Sequence, residues 1–248
     1  MTVTNHTSLY RFSFPIAEAN ATLETMISTN KLPYSPVILI DLSDLSDSRQ
    51  NGSIAVNPST GRVTGSGTFK PSFGIGTYGL HFCADFFGAN IRDTGIFQNN
   101  RASNAFKHLE TVYDGINTNP PVPGGAWVRF YPPEKDQIVV RVGLSFLDTA
   151  KACRNAESEI ADFDFEGVFS AATDAWNRKL DVVQIDNSGV KDTLQTVFWS
   201  GLYRSMISPQ DYTGETPDIL PFQVFLNLPS QAKIPCGRVL SLVSPESP

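Results

Sequence analysis

Three acidic residues at alternate positions form the densest group of potential catalytic carboxylates in the sequence: Asp162, Asp164 and Glu166. General acid–base cleavage of a glycosidic bond needs two carboxyl groups that face each other across the substrate. Residues spaced by two at the start of a helix do not meet that need, but they can accept hydrogen bonds from the free amides of the first turn. The cluster therefore predicts helix capping.

Histidine-based nucleophilic catalysis has little support. The three histidines are His6, His81 and His108. No Gly-x-Ser-x-Gly elbow occurs in the strand–turn–helix context that exposes a nucleophilic serine. His6 lies near the start of the chain, His108 in a polar stretch predicted to be a loop, and His81 on a predicted strand. The sequence does not predict a Ser-His-Asp triad.

Two further motifs have the spacing of ligand-binding loops. Gly74-Ile-Gly-Thr-Tyr-Gly79 matches a dinucleotide fingerprint, but a strand pattern follows it, not the helix whose N-terminus would face a pyrophosphate. Asp41, Asp44 and Asp47 recur every three residues, whereas a calcium loop places its ligands at alternate positions around a glycine. We interpret the first motif as a loop between strands and the second as a capped turn.

Composition and charge exclude other classes. The chain has 248 residues, a net charge of −6 and a pI of about 5.0, so it offers no basic face for nucleic acid. Its longest apolar run, Pro36–Ile40, is much shorter than the roughly 20 residues of a membrane helix. At roughly 150 residues per domain, the length is more than one domain and less than two.

Signals of the cellular compartment disagree with one another. Residues 1–6 have neither the basic start nor the apolar segment of a secretory signal. However, Asn5, Asn20 and Asn51 each begin an Asn-x-Ser/Thr sequon and are candidates for glycosylation. The sequence leaves localisation open.

Three widely spaced cysteines occur, at Cys83, Cys153 and Cys236. Their spacing argues against a structural zinc site. One disulfide with one remaining thiol and three unpaired thiols fit the sequence equally well.

The organisation of the chain changes near residue 148. Up to about residue 147, apolar and polar residues alternate in short segments with turns between them, which predicts an antiparallel β-sandwich. The predicted strands are Tyr10–Phe14, Val37–Leu42, Ser53–Val56, Arg62–Thr64, Tyr78–Phe86, Leu109–Tyr113, Ala126–Tyr131 and Ile138–Phe146.

From residue 148 onward the apolar period is that of helices. Asp148 is the predicted N-cap of a helix that runs to about Ile160, and a second helix begins near Asp164 and ends near Leu180. A third, Val190–Ser208, is apolar on most sides and therefore requires several neighbours. The Pro-rich tail predicts extended or disordered chain.

Several motifs together resemble the family 92 glycoside hydrolases, which are calcium-dependent exo-acting α-mannosidases. Arg141–Phe146, Ala156–Phe165 and Ala175–Asn177 resemble the junction between the sandwich and the helices of that family. Four segments resemble its fungal members: Asn51–Ser53, Gly65–Tyr78, His81–Phe86 and Thr196–Glu215. The resemblance extends from about Val37 to Glu215.

The resemblance implies a mainly β fold with an α extension. It predicts a poorly matched segment at 1–36 and, at 37–147, a β-sandwich of the galactose mutarotase-like, or supersandwich, type. A helical linker at 148–189 and the first helix of a truncated (α/α)6 catalytic barrel at 190–215 follow. Residues 216–248 form a Pro-rich tail that diverges from the family.

The family also implies a reaction, the inverting hydrolysis of α-mannosidic bonds in N-glycans or mannan. In the family, calcium binds the hydroxyl groups of the mannose. Its catalytic acid, base and calcium ligands lie mostly in the barrel, so no catalytic or metal-binding residue is carried over to this chain. Phe82 and Cys83 are the candidate substrate-contacting residues, although a core aromatic and a buried thiol fit them equally well.

Three hypotheses about function follow from this resemblance. In the leading one, the chain is a truncated product that does not hydrolyse mannosides; secretion is expected for full-length members of the family. The alternatives are a stand-alone carbohydrate-binding module and a subunit completed by a separately encoded barrel.

Overall fold

The computed structural model describes residues 1–14, 35–42, 48–71, 75–111, 123–186, 188–207 and 214–215. Within this part of the chain, the strands form a seven-stranded sheet and a four-stranded sheet, and every strand pair is antiparallel. Three helices follow the last strand. The predicted β-sandwich with a helical extension is therefore confirmed.

The larger sheet contains, in spatial order, β1 (Thr2–Val3), β2 (Thr7–Ser13), β11 (Gln137–Ser145), β6 (Tyr78–Phe87), β5 (Val63–Phe69), β4 (Arg49–Val56) and β9 (His108–Thr111). The smaller sheet contains β3 (Val37–Asp41), β10 (Gly124–Phe130), β7 (Ile91–Gln98) and β8 (Arg101–Ser103).

The core lies between the two sheets and follows from the alternation of each strand. Ile138 and Val140 of β11 point inward, and they pack in one cluster with Ile54, Val128 and Phe130. Each of these side chains is at most 3% exposed. Burying one such side chain stabilises a fold by about 1.5–3 kcal/mol, so this cluster supplies much of the stability of the sandwich.

The turn between β4 and β5 shows why these two strands form a hairpin. The Asn57 side chain accepts hydrogen bonds from the amides of Ser59 and Thr60, at 2.9 and 3.2 Å. Gly61 has a φ of 68°, and a Cβ there would lie 2.7 Å from the Ile91 side chain. Only glycine meets both demands of this turn.

The first two of the three helices begin directly after the predicted caps, Asp148 and Asp164. The helices are α1 (Thr149–Glu159), α2 (Phe165–Leu180) and α3 (Asp192–Ile207). Asp148 accepts from the Lys151 amide at 2.6 Å and Asp164 from the Gly167 amide at 3.1 Å. Among the described residues, no helix is both long enough and apolar enough to cross a membrane.

Helix α1 packs closely on the outer face of the larger sheet. A Cβ at Gly143 of β11 would lie 2.2 Å from the Ala152 carbonyl oxygen and 2.7 Å from the Ala156 Cβ, so glycine permits the approach. A disulfide joins Cys153 of α1 to Cys83 of β6. It decides between the two alternatives that the cysteine spacing left open.

Helices α2 and α3 contact little and bury no residue fully. Helix α2 meets β2 through Arg11, which bonds Glu166 at 2.5 Å and lies 4.1 Å from the Phe165 ring. Helix α3 meets α2 where the rings of Trp176 and Tyr203 lie 4.6 Å apart. The sequence predicted that α3, which is apolar on most sides, needs several neighbours. In the structure most of its apolar residues are exposed to solvent.

Candidate functional site

An apolar cleft of about 540 Å³ lies between the sheets, where β3 of the smaller sheet faces β2, β6 and β11. Its aromatic lining consists of Tyr10, Phe12, Phe69, Tyr78 and Phe82. The rings of Phe69 and Tyr78 lie 5.7 Å apart.

The described lining of the cleft is mainly apolar and aromatic. Asp41 is the single charged residue in its described lining, and glycoside cleavage needs a pair of carboxyl groups. The cleft can therefore hold an apolar or ring-shaped ligand face, but its described residues do not supply an acid and a base.

The two predicted substrate-contacting residues lie on opposite faces of β6. Phe82 points into the cleft, whereas Cys83 is fully buried and bonded to Cys153 beneath α1. Successive strand residues alternate between faces, so these two side chains do not form one site. The hypothesis that this region contacts mannose stays a prediction.

Capping, the role predicted for the acidic cluster at the start of α2, is confirmed for Asp164. Asp162 accepts from the Asp164 amide at 3.2 Å, just before the helix. Glu166 instead pairs with Arg11 of β2.

The histidines are held in separate places. His6 bonds Glu159, His81 faces Thr149 at 3.4 Å, and His108 faces Ser53 at 3.1 Å. His108 is the first residue of β9, so its prediction as a loop residue is wrong: pairing of β9 with β4 extends the strand one residue further than the alternation indicated. Among the described residues, no histidine forms a Ser-His-Asp triad.

The two motifs that resemble ligand loops differ in how far the structure describes them. Gly76, with a φ of 97°, lies just before strand β6, whereas Gly79 is the second residue of that strand and pairs with Thr68. The predicted loop between strands is therefore found at residues 75–77, the strand begins within the motif, and Gly74 lies outside the described residues. Of the aspartates, Asp41 ends β3, and Asp44 and Asp47 lie outside the described residues.

An ion-pair network ties α1 to the larger sheet. Asp85 of β6 accepts from Arg62 at 2.6 Å and from the buried Arg141 at 2.6 Å. Arg62 also bonds Glu157 of α1 at 2.7 Å. The hydrogen bond to Asp85 is the main reason that the pKa of Arg62 is raised. Arg141 in turn donates to the Ile160 carbonyl.

A second polar cluster holds the chain start against the end of α1. Glu159 accepts from the Thr4 hydroxyl at 2.5 Å, from the His6 amide at 2.9 Å and from the His6 ring at 2.6 Å. Burial would raise the pKa of Glu159, but these bonds outweigh it and lower the pKa below its ordinary value.

Two of the three predicted glycosylation residues are described, and both are exposed. Asn5 lies in the turn between β1 and β2, and Asn51 lies on β4. Asn20 lies outside the described residues.

These features define a class: an antiparallel β-sandwich joined through a packed helix to two less buried helices. The glycosyl hydrolase family 92 N-terminal domain matches residues 1–145, and the family 92 catalytic domain matches residues 151–231. The chain belongs to glycosyl hydrolase family 92.

The relatives are much longer than this chain. An uncharacterized secreted glycosidase of Arthroderma benhamiae is 46% identical over 221 residues, which are 88% of this chain and 27% of the relative. The chain thus spans about a quarter of the length of the curated relative that it matches.

Solved structures support the same fold. A family 92 inverting mannosidase from Bacteroides thetaiotaomicron matches with a TM-score of 0.61 and 18% identity, over 84% of this chain and 24% of the mannosidase. The family 92 glycosyl hydrolase ccman5 matches with a TM-score of 0.63 and 21% identity, over 84% of this chain and 24% of its own.

Proposed function

We propose that this chain is the sandwich and leading catalytic-domain segment of a family 92 enzyme that hydrolyses α-mannosidic bonds in N-glycans or mannan. We further propose that the chain alone lacks the catalytic acid and base. The observation that carries the proposal is the pair of family matches, residues 1–145 to the N-terminal domain and residues 151–231 to the catalytic domain. This pair supports a catalytic domain that begins directly behind the sandwich.

The described carboxylates support the second part of the proposal. Glu157, Glu159, Asp164 and Glu166 are each engaged in an ion pair or a cap. An inverting glycosidase needs two carboxyl groups about 6.5–9.5 Å apart across an open sugar site. In the cleft between the sheets, Asp41 is the one carboxylate that the described lining contains.

Calcium, which the family implies, does not fit the part of the chain that the structure describes. No group of three or more His, Cys, Asp or Glu side chains that could hold a metal occurs there. We propose that the calcium ligands belong to the remainder of the catalytic domain.

Helix α3 supports the proposal of an incomplete barrel. Leu194 and Val197 are 61% and 69% exposed. In an (α/α)6 barrel, neighbouring helices cover such a helix. The remaining helices of the barrel would therefore cover the exposed apolar face of α3.

The test is an aryl α-mannoside assay with calcium. We expect the 248-residue chain to show no calcium-dependent turnover. A chimaera in which residues 1–207 replace the matching part of the Arthroderma benhamiae relative should regain turnover, and the relative itself is the control. Turnover by the chain alone would contradict the absence of the acid and base, and an inactive chimaera beside an active relative would contradict the proposed role.

The alternatives are separated by two further measurements. Titration with α-mannobiose tests a stand-alone carbohydrate-binding module, and Phe82→Ala in the apolar cleft is the variant that should weaken binding. Co-purification of a large helical protein would instead indicate a separately encoded barrel.

The disulfide bears on where the protein matures. Structural disulfides persist in oxidising compartments, and the Arthroderma benhamiae relative is named a secreted protein. We propose secretion for the full protein. Expression through a eukaryotic secretory pathway should then add glycans at Asn5 and Asn51, seen as a loss of mass after treatment with peptide N-glycosidase; no loss of mass would contradict it.

A further inference from the structure

Glu215 is a buried carboxylate at the point where the described chain ends. Glu215 as a whole is 2% exposed. It follows Gly214, which has a positive φ of 75°. A buried carboxylate is costly unless its oxygens are hydrogen-bonded.

Both carboxylate oxygens are occupied, and the donors come from two other segments. Oε2 accepts from the Ser145 hydroxyl at 2.6 Å and from the Phe146 amide at 2.9 Å. Oε1 accepts from the Asn155 side chain at 2.8 Å. Ser145 ends β11 and Asn155 lies in α1, so one side chain joins the sandwich, the first helix and the chain beyond α3.

The donors are themselves fixed in place. Asn155 also donates to the Leu144 carbonyl at 2.8 Å, and the Ser145 hydroxyl accepts from the Leu147 amide at 3.0 Å. All three donors to Glu215 are neutral. A carboxylate suits this site because it presents acceptors only, whereas a glutamine would turn an NH₂ group toward one of the donors.

These hydrogen bonds connect residues that match two different domains of the family. Ser145 is the last residue matched to the N-terminal domain, and Glu215 lies within the match to the catalytic domain. Helix α3, which precedes Glu215, buries no residue. Among the described residues after Ile160, Glu215 is the one that is buried.

We propose that Glu215 is an inter-domain anchor, a positioning residue that fixes the catalytic-domain segment after α3 to the junction of β11 and α1. The proposal goes beyond the proposed function because it concerns the joint between the domains and does not require turnover.

Amide hydrogen exchange of the 248-residue chain tests the anchor. Glu215→Ala and Glu215→Gln should speed exchange of the Phe146 amide by about ten- to a hundredfold, as expected for losing a hydrogen bond to a charged group. Glu110→Gln, at an exposed position of β9, is the matched control and should change nothing at Phe146. Amides of β10 should keep their protection in every variant.

Ser145→Ala separates the anchor from ordinary strand-end stability. In this variant the Leu147 amide loses its acceptor, but the Phe146 amide keeps Glu215, so Phe146 should stay within about threefold of the parent. The proposal is overturned if Phe146 exchanges at the parent rate in Glu215→Ala, if Ser145→Ala exposes Phe146 as much as Glu215→Ala does, or if exchange rises uniformly through the core.

Discussion

Removing the disulfide between Cys83 and Cys153 should cost a large share of the stability of the chain. The bond closes a loop across a sequence separation of 70 residues. Loop-closure entropy for about 70 residues is roughly 15 cal/mol/K, or about 4 kcal/mol at 25 °C. That loss is comparable with much of the roughly 5–15 kcal/mol that stabilises an ordinary protein.

The perturbation is the double variant Cys83→Ala/Cys153→Ala, measured by urea unfolding beside the unreduced and the reduced parent. With a urea dependence of about 2–3 kcal/mol/M for a chain of this size, the midpoint should fall by about 1.5–2 M. The reduced parent should resemble the double variant. Cys236→Ala is the control and should unfold like the unreduced parent.

Two results would refute this reasoning. The first is a double variant that unfolds at the urea concentration of the unreduced parent. The second is a thiol titration of the denatured, unreduced chain that counts three thiols and not one.

Three further predictions follow from single side chains. Gly143→Ala should lower the unfolding free energy by about 2–3 kcal/mol, because its Cβ would lie 2.2 Å from the Ala152 carbonyl oxygen, and Gly79→Ala, with nothing within 4 Å, should change it by less than about 0.5 kcal/mol; urea midpoints compare the two. Glu159→Gln should cost about 1–2 kcal/mol at pH 7. Because the native pKa of Glu159 lies below the ordinary 4.5, its contribution is present above that pH and is lost as pH falls through the native value; unfolding curves from pH 7 to pH 3 check this, and a difference that is independent of pH would contradict it. Val197→Lys, at a side chain 69% exposed, should leave the urea midpoint unchanged and reduce self-association in light scattering, while equal scattering would argue that the α3 face does not associate.

Local patterns predicted the parts of this fold that local physics determines. Asp148 and Asp164 were identified as caps because a carboxylate before a helical apolar stripe satisfies free amides, and both accept the expected bonds. The alternation of Ile138–Phe146 likewise predicted β11, which the structure places at Gln137–Ser145. In each case the signal lies within a few residues of the feature.

Features that join distant residues were beyond such patterns. Strand β7 (Ile91–Gln98) has three consecutive buried residues, Thr94, Gly95 and Ile96. It therefore lacks the alternation of apolar and polar residues that predicts a strand with one solvent-exposed face. The disulfide joins residues whose sequence separation of 70 says nothing about proximity. Nothing in the residues next to Glu215 indicates that it is buried, because its three donors come from the end of β11 and from α1.

The helical segment predicted as a linker contains two physically different parts. Helix α1 is held to the sheet by the close approach at Gly143, by the disulfide at Cys153 and by the pairing of Glu157 with Arg62. The contacts differ in kind, a close backbone approach, a covalent bond and an ion pair, and all three hold the same helix to the same sheet.

Helices α2 and α3 have no comparable set of contacts, since neither buries a residue fully. Close packing in the described chain therefore extends through α1 and ends at Ile160, which is 2% exposed. A catalytic domain attached beyond this point would take its orientation from α1 at its entry. Because Glu215 accepts from Asn155 of α1 and from Ser145 and Phe146 at the end of β11, the junction of α1 and β11 would fix the domain again after its first helix. That junction would then be the structural reference for any site formed between the sandwich and the barrel.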